Sequence, residues 1–245
     1  MSNVKSVSKY KSSGPMVALC IHDLRVSGGT DTREKICGIQ EKFQQPVTVH
    51  LVLDVPLEAR NPLETFLAEE IGAGRLELVF HGTRHTCPLE IGRALSFYHK
   101  HQAEYLNDAP ELREQTLRTW QAATRLFGPL GICPPCWIAS RQNWRFLSSL
   151  SPLYLESTWR LRSQGRTVPV SIVSLGSPDP KELVGLRLLG RALLCLGHAP
   201  GLGRWRVAIH ACDLERPDSM DFFHRMVSSL KAGGAKPVLQ RQLLT

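Results

Sequence analysis

No apolar run approaches the roughly 18 residues that a bilayer-spanning helix needs. The nearest candidate among the 245 residues, Leu183 to Leu196, is interrupted by Arg187 and Arg191. The first fifteen residues (MSNVKSVSKYKSSGP) are polar and basic and lack the apolar stretch of a signal peptide, so a soluble chain in the cytoplasm is expected. Acidic residues are outnumbered, 22 against 30 Lys and Arg, which leaves a formal charge of +8. The excess is spread along the chain, with part of it (Lys5, Lys9, Lys11) in the N-terminal tail, and nucleic acid is not an expected partner. The seven cysteines are an odd number, several within apolar runs, so no disulfide framework follows. Neither an internal repeat nor a long Pro/Gly/Ser-rich linker is visible. The expected organisation is a flexible basic tail over 1–15 and one compact unit over 16–245.

Runs of Val, Ile and Leu alternate with longer amphipathic stretches, the rhythm of strand-helix units around a mainly parallel sheet. Strands are expected at Met16–His22, Val47–Asp54, Leu76–His81, Gly131–Cys133, Leu153–Trp159, Val168–Val173, Trp205–Ala211 and briefly at Pro237–Leu239. Between them the spacing predicts helices at Thr32–Phe43 (N-cap Thr30 or Asp31), from Asn61-Pro62 through Ile71, over Pro88–Phe127 with a break at Asp108-Ala109-Pro110, and at Ser140–Ser148, Pro178–Gly197 and Ser219–Lys231. Such a series fits an α/β barrel smaller than the eight-fold form, with a doubly wound open sheet as the rival. In both, functional groups gather where strands end.

Polar residues recur at those ends: His22 and Asp23 after the first run, Asp54 after the second, His81 after the third and His210 after the last. In His81-Gly82-Thr83-Arg84-His85, two imidazoles four apart lie on one face and are able to share an ion, while Gly82 lets the backbone turn beneath it. Adding Asp23 gives two imidazoles and one carboxylate, a common composition for a catalytic zinc site with a place for water. The spacing of Cys133-Pro134-Pro135-Cys136 invites a redox or structural-zinc reading, but no second C-x-x-C exists. A rigid loop at a strand end is the better reading, with the Cys136 N–H as a donor and Trp137 either as an apolar wall for a sugar face or as core. Asp54 is read as a strand-end or supporting carboxylate. His50, His99, His101, His198 and His224 are read as surface or packing residues.

Ile21-His22-Asp23, His81 to His85, Cys133 to Trp137, and the closing run Ala208-Ile209-His210-Ala211-Cys212-Asp213 stand in an order that resembles the polysaccharide deacetylase superfamily of the nodulation-protein-B fold. Within it the sequence is most similar to a bacterial branch of predicted deacetylases that opens with I-H-D. The likeness runs from about Val17 to the C-terminus. It implies a distorted (β/α)7 barrel, a divalent metal, commonly zinc, on Asp23, His81 and His85, and removal of an N- or O-acetyl group from a carbohydrate-type substrate. His22 stands where the family has an aspartate base, and a neutral imidazole suits that task. His210 would protonate the leaving group, with Asp213 or another carboxylate orienting it. Pro135, Cys136 and Trp137 would border the substrate. The alternatives are another metal-dependent amide hydrolase or a lyase on the same barrel, or a non-catalytic sugar-binding or interaction module. The last draws on His22 and on Cys133, which stands where better-known deacetylases carry an arginine.

Overall fold

Strand β1 (Met16–Arg25) is buried along most of its length, because both faces of a central parallel strand are covered. The computed structural model describes residues 14–57, 61–86, 103–174 and 203–245; the helix expected over Pro178–Gly197 and the first part of the one expected from Pro88 lie outside them. After β1 the chain runs through α1 (Thr30–Phe43), β2 (Val47–Val52), α2 (Pro62–Gly72), β3 (Leu76–Phe80), α3 (Pro110–Phe127), β4 (Gly131–Ile132) and α4 (Arg141–Ser149). It continues through β5 (Leu155–Ser157), β6 (Arg160–Ser163), β7 (Arg166–Pro169), β8 (Ser171–Ser174), β9 (Arg204–His210), α5 (Ala211–Leu214), α6 (Pro217–Ala232) and β10 (Lys236–Val238).

Local chemistry sets the helix starts. Asn61 caps α2, its side chain accepting from Leu63 N ahead of a proline in the first turn, and the Ser140 side chain caps α4 by accepting from Asn143 N. Helix α1 starts two residues before the expected Thr32, with Gly29 at the N-cap. A positive φ of 51° there closes a short turn over Val26–Gly28, a conformation that Thr30 or Asp31 would adopt less readily.

The sheet order is β7-β6-β5-β4-β3-β2-β1-β9-β8, with β10 also on β1. From β5 across to β8 the pairings are parallel. The expected strands Leu153–Trp159 and Val168–Val173 are shorter and are joined by a hairpin that the sequence reading lacked: β6 and β7 pair antiparallel around Gln164-Gly165, both at positive φ. Past Pro169 the same chain crosses to β9 as β8, so the sheet curls into a nearly closed, barrel-like form.

Alternation along the strands sorts the side chains into two layers. Leu19, Ile21, Val49, Leu51, Leu78, Phe80, Val207 and Ile209 face the helices in one large apolar cluster. Ala18, Cys20, Val79, Cys133 and Tyr154 belong to a second, smaller cluster within the barrel. That interior also buries a polar layer: Thr48, His50, Glu77, Glu156, Arg206 and Gln240. Many of its groups bond to one another. Glu77 accepts from Thr48 Oγ1 (3.3 Å), Tyr154 OH (2.8 Å) and the Arg241 N–H (2.9 Å), and the Gln240 N–H donates to Thr48 Oγ1 (3.0 Å). The turn Gln240–Leu244 thus plugs the barrel beneath the strand ends.

Candidate metal centre

Between Ile21 and Leu24 the register of β1 against β2 slips, because three steps along β1 match two along β2. This is a β-bulge centred on Asp23, whose φ is +66°. It breaks the alternation, so that His22 and Asp23, neighbours in sequence, both approach His81. Asp23 Oδ1 lies 3.2 Å from His81 Nε2 and 3.0 Å from His85 Nε2, and the two ring nitrogens are 3.3 Å apart. Donors held about 2.0–2.1 Å from a common tetrahedral ion sit roughly 3.3 Å from one another, so these three side chains fit a divalent metal. The tautomer fits as well. His81 Nδ1 is 2.8 Å from Cys133 O and donates to it, which leaves the Nε2 lone pair facing the other donors. Burial works to raise the Asp23 carboxyl, but the His81 and His85 rings beside it override that and hold the group well below the usual carboxylate range.

Glu104 holds the loop between the two histidines. Its buried carboxylate accepts from three successive backbone N–H groups: Thr83 at 2.8 Å, Arg84 at 2.7 Å and His85 at 2.6 Å. Gly82, at φ +89°, lets that carboxylate approach: a Cβ there would lie 2.3 Å from Glu104 Oε1. No local motif points to Glu104, which follows the loop at a distance of about twenty residues.

His22 is buried at 1% exposure, 5.2 Å centroid to centroid from each of His81, His210 and Trp137. Burial, reinforced by the neighbouring imidazoles, keeps its pKa well below the ordinary histidine value, so it is neutral. His210 ends β9 directly beside it, in register with His22. Burial pulls the His210 pKa down, but the Asp213 carboxylate and then Asp23 outweigh it, and the net shift is upward. Asp213 Oδ2 accepts from the His210 N–H at 3.0 Å and lies 3.7 Å from the ring Nδ1, while Ser174 Oγ is 3.4 Å from the same nitrogen.

Pro135, Cys136 and Trp137 form a short turn after β4 in which Cys136 and Trp137 both have positive φ. Trp137 is half-buried, its Nε1 donating to Glu156 Oε1 at 2.7 Å and its ring facing His22 and His210. Cys133 is a buried free thiol, and Cys136 is half-buried. Asp54 stands apart: it accepts from Ser27 N (3.0 Å) and Ser27 Oγ (2.6 Å) and pairs with Arg25 (3.3 Å), tying down the turn after β1.

Of the two expectations for His50, surface or packing, the structure selects packing and adds partners that the sequence did not show: it is wholly buried in the barrel, stacked on His22 with ring centroids 3.7 Å apart, and its Nε2 lies 2.7 Å from Glu156 Oε2. Glu156 also accepts from Trp137 and Gln240 and pairs with Arg206 at 2.6 Å. Burial pushes its carboxyl up, and Arg206 and His50 pull it further down than that, to a net value far below the ordinary one. The signal for this group was a charged or polar residue at the inward-facing position of otherwise apolar strands. His224 lies against Phe43, whereas His99, His101 and His198 fall outside the described residues. Among the described residues no helix is long and apolar enough to cross a membrane.

No family model and no curated protein matches the sequence. Solved structures do share its fold. A CE4-family pseudoenzyme from Bacillus anthracis superposes with a TM-score of 0.53 at 16% identity, covering 95% of this chain, which spans 66% of that protein. A family 4 acetyl xylan esterase from Clostridium thermocellum, solved with a cobalt ion, gives 0.54 at 14% identity, covering 93% and 89% of the two chains. The chitin deacetylase from the fungal pathogen Colletotrichum lindemuthianum gives 0.54 at 13%, covering 95% and 88%. At these identities the likeness establishes the fold.

Proposed function

We propose that this chain is a metal-dependent deacetylase that removes an N- or O-acetyl group from a carbohydrate-type substrate in the cytoplasm, with zinc on Asp23, His81 and His85. The reading is carried by the convergence of one carboxylate oxygen and two imidazole nitrogens within 3.0–3.3 Å of one another at the strand ends. Neighbours of the same fold that hold cobalt or deacetylate chitin support it. A divalent ion bound there lowers the pKa of its water and polarises the acyl carbonyl.

The chain's own groups then divide the proton work. His22, whose Nε2 has no hydrogen-bond partner among the described residues, takes the proton of the attacking water, replacing a carboxylate base. The Cys136 N–H donates to the oxyanion that develops on the acyl oxygen. His210, on the far side of His22 from His50 and oriented by Asp213, delivers a proton to the departing amine or alkoxide. Trp137, fixed through Nε1 on Glu156, presents its ring to the sugar face beside Pro135.

Elemental analysis of the purified protein, the His81→Ala variant and acetate release from acetylated chito-oligosaccharides together test this. The expected result is one His81-dependent metal equivalent and acetate release that disappears with it while the fold persists. Metal content unchanged in His81→Ala counts against the reading. A second reading, a metal-holding barrel that binds sugar without cleaving it, is favoured by the near-complete burial of His22; oligosaccharide binding without acetate release selects it.

A further inference from the structure

Deeper in the barrel than Asp23, His81 and His85 lies a second set of donors. One ligand atom each from His22, His50 and Cys133 lies within 4.8 Å of the others, and all three residues are buried. Among the described residues, His22 Nε2 and His50 Nδ1 have no hydrogen-bond partner although both are buried. Buried polar atoms are rarely left unpaired, and two in stacked rings call for a shared explanation.

The rest of the environment points the same way. His50 Nε2 faces the Glu156 carboxylate at 2.7 Å and donates to it, so the lone pair is on Nδ1. A carboxylate behind an imidazole is the support that metal-ligating histidines have, because it fixes the tautomer and raises the basicity of the other nitrogen. Glu156 is itself anchored by Arg206, Trp137 and Gln240.

We propose that His22, His50 and Cys133 form a second cation site for a borderline-to-soft ion of the zinc class. Two imidazoles and one thiolate disfavour magnesium and calcium, which take oxygen donors. Nitrogen and sulfur donors around one ion sit about 3.3–3.6 Å apart, so the set has at most about 1.5 Å to close, and the His22–His50 stack opens as the ion enters. The Cys133 thiol, which burial keeps protonated, forms its bond to the ion as a thiolate and releases one proton to solvent.

Resting on the deacetylase reading, this site has a regulatory consequence. An ion there takes the His22 lone pair needed for proton abstraction, so a second equivalent of metal inhibits the reaction that the first supports.

Cobalt(II) serves as the probe, titrated into the full chain after removal of metal with a chelator. Two equivalents are expected, one of which brings near-ultraviolet absorption from a cobalt-thiolate bond and an extra released proton. Cys133→Ser is expected to bind one equivalent without that band, whereas His81→Ala loses an equivalent and keeps it. Wild-type protein that binds without a thiolate band overturns the second site, whether or not Cys133→Ser folds, and leaves the first site standing. A thiolate band with no His81-dependent equivalent overturns the deacetylase reading and leaves this site standing. Acetate release should fall on addition of the second equivalent of zinc; a rate that holds there overturns the inhibition.

Discussion

Arg206 Nη1 lies 2.6 Å from Glu156 Oε1 with both side chains wholly buried in the barrel. The guanidinium is further placed by Nη2, which donates to Ser157 O at 3.2 Å and Thr158 O at 2.7 Å. The pair joins β9 to β5 across the interior and carries Trp137, His50 and Gln240 on one carboxylate.

Removing one partner of such a pair strands the other as an uncompensated charge. Arg206→Met is expected to cost about 3–5 kcal/mol of stability by urea unfolding, and Arg206→Met with Glu156→Gln to recover much of it. A single-variant loss below ~1 kcal/mol would show that the pair holds nothing together.

Stability should also depend on acid in a defined direction. The Glu156 carboxyl is depressed in the folded state below its unfolded value of about 4.3. Its contribution is therefore fully present above that pH and is lost progressively as the pH falls towards the folded-state value. Melting temperatures measured from pH 7 down to about pH 3 should fall at the acid end, and Glu156→Gln should flatten that limb relative to its own value at pH 7.

Glu104 offers a test of how the histidine loop is positioned. Glu104→Ala leaves the Thr83, Arg84 and His85 N–H groups without their acceptor. Supporting partners of this kind typically set about 10–100-fold in metal affinity. Calorimetric zinc titration of Glu104→Ala should show a loss in that range, and wild-type affinity would remove Glu104 from the positioning role.

Gly82→Ala should act on the same loop by steric means. At φ +89° an alanine is strained, and its Cβ would meet Glu104 Oε1 at 2.3 Å, Glu104 Cδ at 2.9 Å and Pro135 Cγ at 3.1 Å. The expected loss exceeds ~1 kcal/mol and is accompanied by weaker zinc binding, read by thermal unfolding and the same titration. Unchanged values for both would mean that the loop relaxes freely.

The residues at the strand ends were legible because short-range signals mark them. An apolar run stops, a glycine follows, and two histidines stand four apart. The structure brings Asp23, His81 and His85 together as that pattern anticipates. The barrel interior was much harder to read. His50 and Glu156 meet across 106 residues of sequence, and neither carries a local motif. What they share with Glu77 and Arg206 is an ionisable group at the inward position of a short buried strand, a pattern that becomes visible only once the strands are known to close on one another. The β6–β7 hairpin was missed for the opposite reason: its Gln164-Gly165 turn is a local signal, overlooked within a polar stretch.

The slipped pairing around Asp23 has an evolutionary corollary. With strict alternation restored, for instance by excising residue 23, Leu24 would keep its pairing with Leu51 and its place against the helices, and the histidines would lose their carboxylate with no side chain in its stead. A single-codon deletion would thus take away a cation ligand while sparing the rest of the strand pairing, so insertions and deletions at this point are a direct route by which such barrels gain or lose chemistry.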